Sequence, residues 1–326
     1  MRTAAIEMER PGAPDVLRPV EREVGAPAPG EVLLRHTVIG VNYIDVQQRS
    51  GRYPLPAYPA VLGMEACGVV EALGAGVVEL APGDRVAYAS PPVGAYAGRR
   101  CMPADRLVKV PGGIEDHAAG ANLLRGLTAQ YLLKGTCAIK RGDRVLVHAA
   151  AGGVGLILCQ WAKHLGATVI GTVGTDAKAD TAHAHGCDHA IVYTRGDFAA
   201  RVRELTGAAG VDVVYDSIGG PTFEGSLASL RPRGLLVSYG TAAGPIAPFD
   251  LFRLNRLGSL FVTSPSIFTY TKARSELVER ADDFFAAILS GAIRIEPGHR
   301  FTLADAAHAH EALEARATSG AVSLVP

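Results

Sequence analysis

Hydrophobic and polar positions along the chain fall into two textures. Over residues 1–120, short apolar runs at 31–41, 66–72, 84–88 and 107–110 alternate with turns such as Pro29-Gly30, Pro82-Gly83 and Pro111-Gly112. Short strands at this spacing predict a compact, barrel-like β domain. From about residue 120 the pattern becomes alternating strand and helix. A helix is expected over 115–133, interrupted near Gly126-Leu127-Thr128, and a strand at Val145-Leu146-Val147. Leu156, Cys159, Gln160, Ala162, Lys163 and Leu165 then give one wet and one dry helical face. Further strands are expected at 167–173, 190–193, 211–215, 235–238 and 260–263, and helices at 176–185 and 198–205, the last capped by Asp197. Strands linked by crossover helices predict a doubly wound parallel sheet, with its strand ends lining a crevice. Beyond 268 a helix (273–290), a strand (292–296), a helix (304–317) and a final strand (321–325) should return to the first domain. The expected division is therefore 1–122 with 268–326, and 123–267.

Between the strand at 145–147 and the helix that follows it lies Ala150-x-Gly152-x-x-Gly155. A Gly-rich hexapeptide alone is weak, but this one follows a strand, opens a helix and leads to a second strand. At Gly152 the backbone can approach a pyrophosphate, and Gly155 lets the helix pack close to the strand. N–H groups and the dipole at the helix start then hold the phosphate charge. The acidic residue that clamps an adenosine ribose is expected about twenty positions on. That count lands on Gly174, within Thr172-Val173-Gly174-Thr175, where there is no carboxylate. Lys178 follows. A missing carboxylate beside a cation suits a 2′-phosphate, hence NADPH; the alternative is that Asp176 holds the ribose of NADH.

Composition narrows the function classes. The 326 residues are 48% hydrophobic, enough for two cores, and 32 basic residues balance 32 acidic ones. A neutral chain without a basic stripe argues against nucleic-acid binding. Five cysteines, none in C-x-x-C spacing, suit reduced thiols in a cytoplasmic protein rather than disulfides or a zinc ribbon. No signal segment and no membrane span are expected. His183/His185 and His308/His310 are spaced so as to face different sides of a helix, so no metal site is expected from them.

Several stretches carry a resemblance: Gly40-Val41-Asn42-Tyr43-Ile44-Asp45, Arg49-Ser50-Gly51-Arg52-Tyr53-Pro54, Leu62-Gly63-Met64-Glu65-Ala66-Cys67-Gly68, His148 to Gly155, Gly171 to Thr175, and Ala315-Arg316-Ala317-Thr318-Ser319-Gly320. Together with the order of the domains, they resemble the zinc-free, zeta-crystallin-like quinone oxidoreductase branch of the medium-chain dehydrogenase/reductase superfamily. The resemblance implies an α/β fold with a GroES-like β-barrel catalytic domain plus a doubly wound Rossmann domain, and a homodimer. Zinc alcohol dehydrogenases of that superfamily have a Cys where this chain has Asn42 and a His where it has Met64. Amide and thioether are poor zinc ligands, so no Lewis acid is expected to hold an alkoxide.

What remains is reduction of acceptors that need no metal. Quinones qualify, since charge delocalises into the aromatic product; activated C=C bonds of enones, enals and enoyl thioesters are the alternative. A crystallin-like structural or RNA-binding role is the non-enzymatic one. The resemblance places Asn42, Tyr43 and Asp45 beside the nicotinamide, Tyr53 at the substrate mouth and Thr128 near the nicotinamide ribose. It brings Gly152, Gly153 and Val154 to the pyrophosphate, and Thr172, Gly174, Lys178, Tyr193 and Arg316 to the adenosine end. Ser217, Gly240, Thr241, Ser264 and Pro265 line the strand-end crevice. Asn42, Tyr53 and Asp45 are the expected catalytic groups, with no metal.

Overall fold

The computed structural model describes residues 1–326. Chain contacts divide it into a first unit (1–126, 271–289 and 295–326) and a second (127–270 and 290–294).

In the first unit, β1 (Arg2–Met8) pairs with β2 (Arg18–Glu23), and the 11-residue β3 (Glu31–Val41) runs directly into α1 (Tyr43–Arg49). Then come β4 (Ala60–Val61), β5 (Glu65–Leu73), β6 (Arg85–Ala89), β7 (Arg99–Pro103), β8 (Val108–Lys109) and α2 (Asp116–Gln130). β1 is the middle of a three-stranded sheet, β2-β1-β4. Buried Ile6, Leu34, Ile39, Tyr88, Tyr96 and Leu324 belong to one core beneath the strands. The register between β3 and β5 shifts twice, at Leu33/Leu34 and at His36/Val38; such bulges bend a strand and help a small sheet curl.

α2 is not interrupted at Gly126, contrary to the sequence expectation, and continues into a π-helical turn, Tyr131–Thr136. Gly126 is there for packing. A Cβ on it would stand 2.5 Å from the ring of buried Phe284, so the helix needs a glycine without breaking at it.

The second unit continues with β9 (Arg144–Val147), α3 (Gly153–His164), β10 (Thr168–Val173), α4 (Asp176–Ala184), β11 (His189–Val192), α5 (Phe198–Leu205) and β12 (Val211–Asp216). α6 (Gly220–Ser229), β13 (Leu230–Ser238), α7 (Phe252–Arg256), β14 (Phe261–Thr263) and α8 (Ile267–Tyr270) complete it. The six strands pair in parallel in the order β11-β10-β9-β12-β13-β14, the doubly wound order that reverses between β9 and β12. Its apolar strands read as continuous runs because helices cover both faces; Leu146, Ile170, Val214, Leu236 and Phe223 form the core. Asp197 caps α5 as expected, accepting from the Ala199 amide at 2.8 Å.

The tail returns to the first unit through α9 (Arg274–Leu289), β15 (His299–Thr302), α10 (Ala306–Glu314) and β16 (Val322–Val325). These complete a seven-stranded sheet, β15-β16-β3-β5-β6-β8, with β7 on β3. The strand expected at 292–296 is instead β15, further on. Pairing with β16 starts where the His299 amide reaches Ala321 O at 2.8 Å. Pro297 bars a ladder N–H before it, and a Cβ on Gly298 would overlap Ala321 O.

Candidate active site

In the second unit, β9 ends in a turn of small residues. Ala149 adopts φ +52°, and the Gly152 amide returns to Ala149 O at 2.8 Å. Gly152 caps α3 without a side-chain acceptor, and no acidic residue stands in the first turn. The N–H groups that open a 12-residue helix therefore face an anion-binding position that no side chain fills. Gly152 has an ordinary φ of −82°, and an added Cβ would meet only Ala149, its carbonyl oxygen at 3.0 Å. At Gly155 an added Cβ would overlap Ala149 O and stand 2.8 Å from Ala150 O. Gly155 is thus demanded by the fold, whereas at Gly152 an added Cβ would make one tight contact, with Ala149 O. Gly153 and Val154 begin the helix on the same turn. The residues fit a dinucleotide pyrophosphate.

At the end of β10, Thr175 caps α4 by accepting from the Lys178 amide at 3.3 Å. Asp176 is ion-paired with Arg195, so the one carboxylate near the ribose position already has a cation. Gly174 lies close to Tyr193, since an added Cβ would stand 3.2 Å from the Tyr193 hydroxyl. Lys178, Tyr193 and Gly174 thus belong to one end of the sheet. Arg195 follows β11 and is the cation that pairs with Asp176. Arg316 lies in the first unit, in a left-handed turn (φ +56°) after α10.

Thr172 is buried and its hydroxyl meets His148 Nδ1 at 2.8 Å. His148 Nε2 meets Ser226 Oγ at 2.9 Å, and Ser226 donates to Asp216 Oδ2 at 2.9 Å. Asp216 Oδ1 accepts the Ile218 and Gly219 amides at 2.8 and 3.1 Å. Burial lowers the His148 pKa, and the ring links the ends of β9, β10 and β12. Asp216 in this way shapes the crevice loop that carries Ser217. Nearby, Gly240 has room only for hydrogen, as a Cβ would lie 2.9 Å from Ser217 O, and Thr241 packs on Gly219 (φ +96°). Thr128 is buried in α2, and Ser264 and Pro265 follow β14.

In the first unit, Asn42 is the N-cap of α1, and the Asp45 carboxylate reaches back to the Asn42 amide at 2.8 Å, the reciprocal half of a capping box. Asn42 Nδ2 donates to Glu65 Oε2 at 2.7 Å, and Glu65 Oε1 accepts the Leu124 amide at 2.7 Å. Arg125 is buried with them. Its guanidinium donates to Ala121 O and, at 2.9 Å, to Val41 O. Burial raises both carboxyls, Asp45 to about 7, while Arg125 opposes the rise. The physical reason is plain: one buried cation faces two buried carboxyls, so one carboxyl favours a proton. Tyr43 is half-buried on α1. Tyr53 is exposed, its amide bonded to Gln47 O at 3.0 Å, with no hydrogen bond to Asn42 or Asp45.

Met64 is buried, and its thioether accepts from Gln48 Nε2 at 3.4 Å. With the Asn42 amide bonded to Glu65, neither position offers a zinc ligand, and no three His, Cys, Asp or Glu side chains converge on a common point. His183 and His185 each bond a backbone carbonyl near their own helix.

Two family descriptions match the chain: the alcohol dehydrogenase GroES-like domain over residues 28–133 and the zinc-binding dehydrogenase over 153–286. A quinone oxidoreductase of Pseudomonas aeruginosa is 47% identical, with 97% of each chain covered. A 2-haloacrylate reductase of a Burkholderia species is 46% identical over 99% of this chain and 98% of that one. The crystal structure of Escherichia coli quinone oxidoreductase complexed with NADPH superposes with a TM-score of 0.97 at 45% identity, covering 99% of this chain and all of that one. The chain belongs to the quinone oxidoreductase family of the medium-chain dehydrogenase/reductase superfamily.

Proposed function

We propose that this chain is an NADPH-dependent, zinc-independent quinone reductase, with 123–267 carrying the dinucleotide and 1–122 with 268–326 forming the catalytic domain. The observation that supports it most is an open phosphate cradle in a chain whose metal-ligand positions are filled. Gly152 leaves the start of α3 without a side-chain cap, whereas buried Asn42 and Met64 are already bonded to Glu65 and Gln48. Bound NADPH supplies a hydride. The residues hold it: Gly152, Gly153 and Val154 at the pyrophosphate, Lys178 at the 2′-phosphate, and Tyr193 and Gly174 at the adenosine. Thr128, Ser217, Gly240, Thr241, Ser264 and Pro265 serve the rest of the dinucleotide. No carboxylate stands at the expected ribose-clamp position, Gly174, and the nearest one, exposed Asp176, faces the cation Arg195. A quinone suits a site without a Lewis acid, because the charge it gains spreads over the ring. Polar assistance comes from the Asn42 turn, including Asp45, and from the Tyr53 hydroxyl.

NADPH oxidation followed with 1,4-naphthoquinone and with 2-chloroacrylate tests the reading. Turnover of the quinone, unchanged after chelator treatment, is expected; turnover of the haloacrylate alone would overturn it. The second substrate is chosen because the Burkholderia relative is named a 2-haloacrylate reductase, and an activated C=C bond likewise needs no metal. A homodimer is part of the proposal. β14 is an edge strand, and Phe261 on it is 60% exposed, close in sequence to exposed Phe252 and Leu257.

A further inference from the structure

A line of buried side chains runs from Asp45 to the surface of the first unit. Tyr96 Oη lies 3.1 Å from Asp45 Oδ2 and 2.9 Å from His310 Nε2. His310 Nδ1 faces Arg49 Nη1 at 3.5 Å, and Arg49 is held by Glu314 through two contacts of 2.8 and 2.9 Å. Asp45, Tyr96 and His310 are fully buried; Glu314 is partly exposed.

The direction of every proton in this line follows from Arg49. A guanidinium has only donors, so the ring nitrogen that faces it must be the acceptor. Burial, with Arg49 adding to it, lowers the His310 pKa to about 3, and the ring is neutral. Its one proton is then on Nε2, which donates to Tyr96 Oη. The tyrosine has one proton to give, and it goes to Asp45 Oδ2. That oxygen also accepts the Asn42 amide at 2.8 Å. Asp45 Oδ1, by contrast, is buried and has no hydrogen-bond partner. Glu65, the neighbouring carboxyl, differs: both its oxygens accept hydrogen bonds, from Asn42 and from Leu124.

We propose that Arg49, His310 and Tyr96 are positioning residues that saturate Asp45 Oδ2 with donors and so confine the exchangeable proton of Asp45 to Oδ1. The groups facing Asp45 are Tyr96, the Asn42 amide, Glu65 and Arg125. Only Tyr96 among their side chains donates a hydrogen bond to it, so the tyrosine is the handle by which the remote pair, His310 and Arg49, acts on the carboxyl. Quinone reduction by hydride leaves one proton to be supplied to an oxygen, and Asp45 is the carboxyl of the Asn42 turn with an oxygen left to carry one. This link to turnover rests on the proposed quinone reductase activity; the placement of the proton does not.

Difference infrared spectroscopy of the resting protein, titrated with pH, reads the carboxyl directly, with Asp45→Asn identifying its band. Tyr96→Phe keeps the buried ring and removes the donor. The midpoint of the Asp45 band should rise by about one pH unit, because a hydrogen bond to the charged form is lost. His310→Gln keeps an N–H near the Nε2 position and should leave the midpoint near that of the wild type. His310→Leu should raise it by less than Tyr96→Phe does. An unmoved or lowered midpoint in Tyr96→Phe, or a glutamine variant that behaves like the leucine one, overturns the assignment. The pH profile of kcat with naphthoquinone is the second readout, and its alkaline limb should move up with the infrared midpoint. An infrared shift with a fixed kcat profile keeps the proton placement and overturns the role of Asp45 in turnover.

Discussion

Replacing Gly155 and Gly152 by alanine, one at a time, separates what the fold needs from what the dinucleotide needs. At Gly155 the new methyl overlaps Ala149 O and presses to 2.8 Å on Ala150 O, both backbone atoms of a turn already strained at Ala149 (φ +52°). Neither can rotate away, so the start of α3 must shift. Overpacking of this kind costs about 1–3 kcal/mol, and each kcal/mol moves Tm by roughly 2–4 °C in domains of 150–250 residues. Gly155→Ala should therefore lower the Tm of the protein alone by roughly 2–12 °C. At Gly152 the methyl meets one carbonyl oxygen, at 3.0 Å, with a φ that alanine adopts freely. The fold should lose less than about 1 kcal/mol there. The methyl instead enters the space proposed for the pyrophosphate, and NADPH affinity should fall by about tenfold or more, a loss of at least 1.4 kcal/mol. Thermal unfolding with and without NADPH reads both effects, since saturating ligand adds RT ln(1 + [L]/Kd) to stability. The wild type should gain Tm from NADPH, Gly152→Ala should gain much less, and Gly155→Ala should start lower. Equal loss of Tm without ligand in both variants, or wild-type NADPH affinity in Gly152→Ala, would refute the reasoning.

Lys178→Ala should weaken NADPH about tenfold and leave NADH within about twofold, as measured by fluorescence titration; equal losses for both would remove Lys178 from the 2′-phosphate. Asp45→Asn addresses pH. Because burial raises the folded Asp45 pKa from 3.8 to about 7, the folded state binds more protons than the unfolded state between those values. The contribution of Asp45 is therefore fully present below pH 3.8 and is lost as pH rises through about 7. Denaturant unfolding should show the asparagine variant gaining on the wild type by about 3 kcal/mol between pH 5 and pH 8, and a constant difference would contradict a buried titrating carboxyl. Phe261→Asp, on the exposed edge of β14, should shift light-scattering mass from dimer to monomer while leaving NADPH affinity intact; a monomeric wild type would dispose of the edge as an interface.

Where local pattern and tertiary packing agree, the sequence was readable. β3 ends where the alternation at 31–41 ends, and the six-strand order follows from strands separated by helices with one apolar face. Reading failed where a residue has two possible uses. Gly126 looks like a helix breaker from its neighbours, and only the ring of Phe284, far along the chain, shows that it is a contact. The stretch 292–296 has strand composition but joins no sheet, the Arg294 backbone bonding to the Gln160 side chain instead, whereas the less apolar His299–Thr302 pairs with β16. The stretch from Asn42 to Asp45 stands out as a motif, and its capping-box spacing also marks the start of α1. Thr172 illustrates the limit for site residues: its position in the chain suits a ribose contact, but its hydroxyl meets His148 inside the sheet.

The same limit explains why the polar cluster around Asp45 could not be foreseen. Asn42 and Met64 were legible as replacements because each stands in a recognisable motif. Tyr96, Arg125 and His310 stand in none; they meet the Asn42 turn only when the first unit closes its sheets. Yet they settle what the replacements leave behind. Removing metal ligands while keeping Glu65 would strand a buried anion, which is costly unless paired. Here Glu65 is compensated by the Asn42 amide, the Leu124 N–H and the buried Arg125. Arg125 faces both carboxyls but weighs more on Glu65, so burial leaves Asp45 as the carboxyl that holds a proton near neutral pH. The near-neutral titration of Asp45 is thus the consequence of enclosing two carboxyls beside one guanidinium.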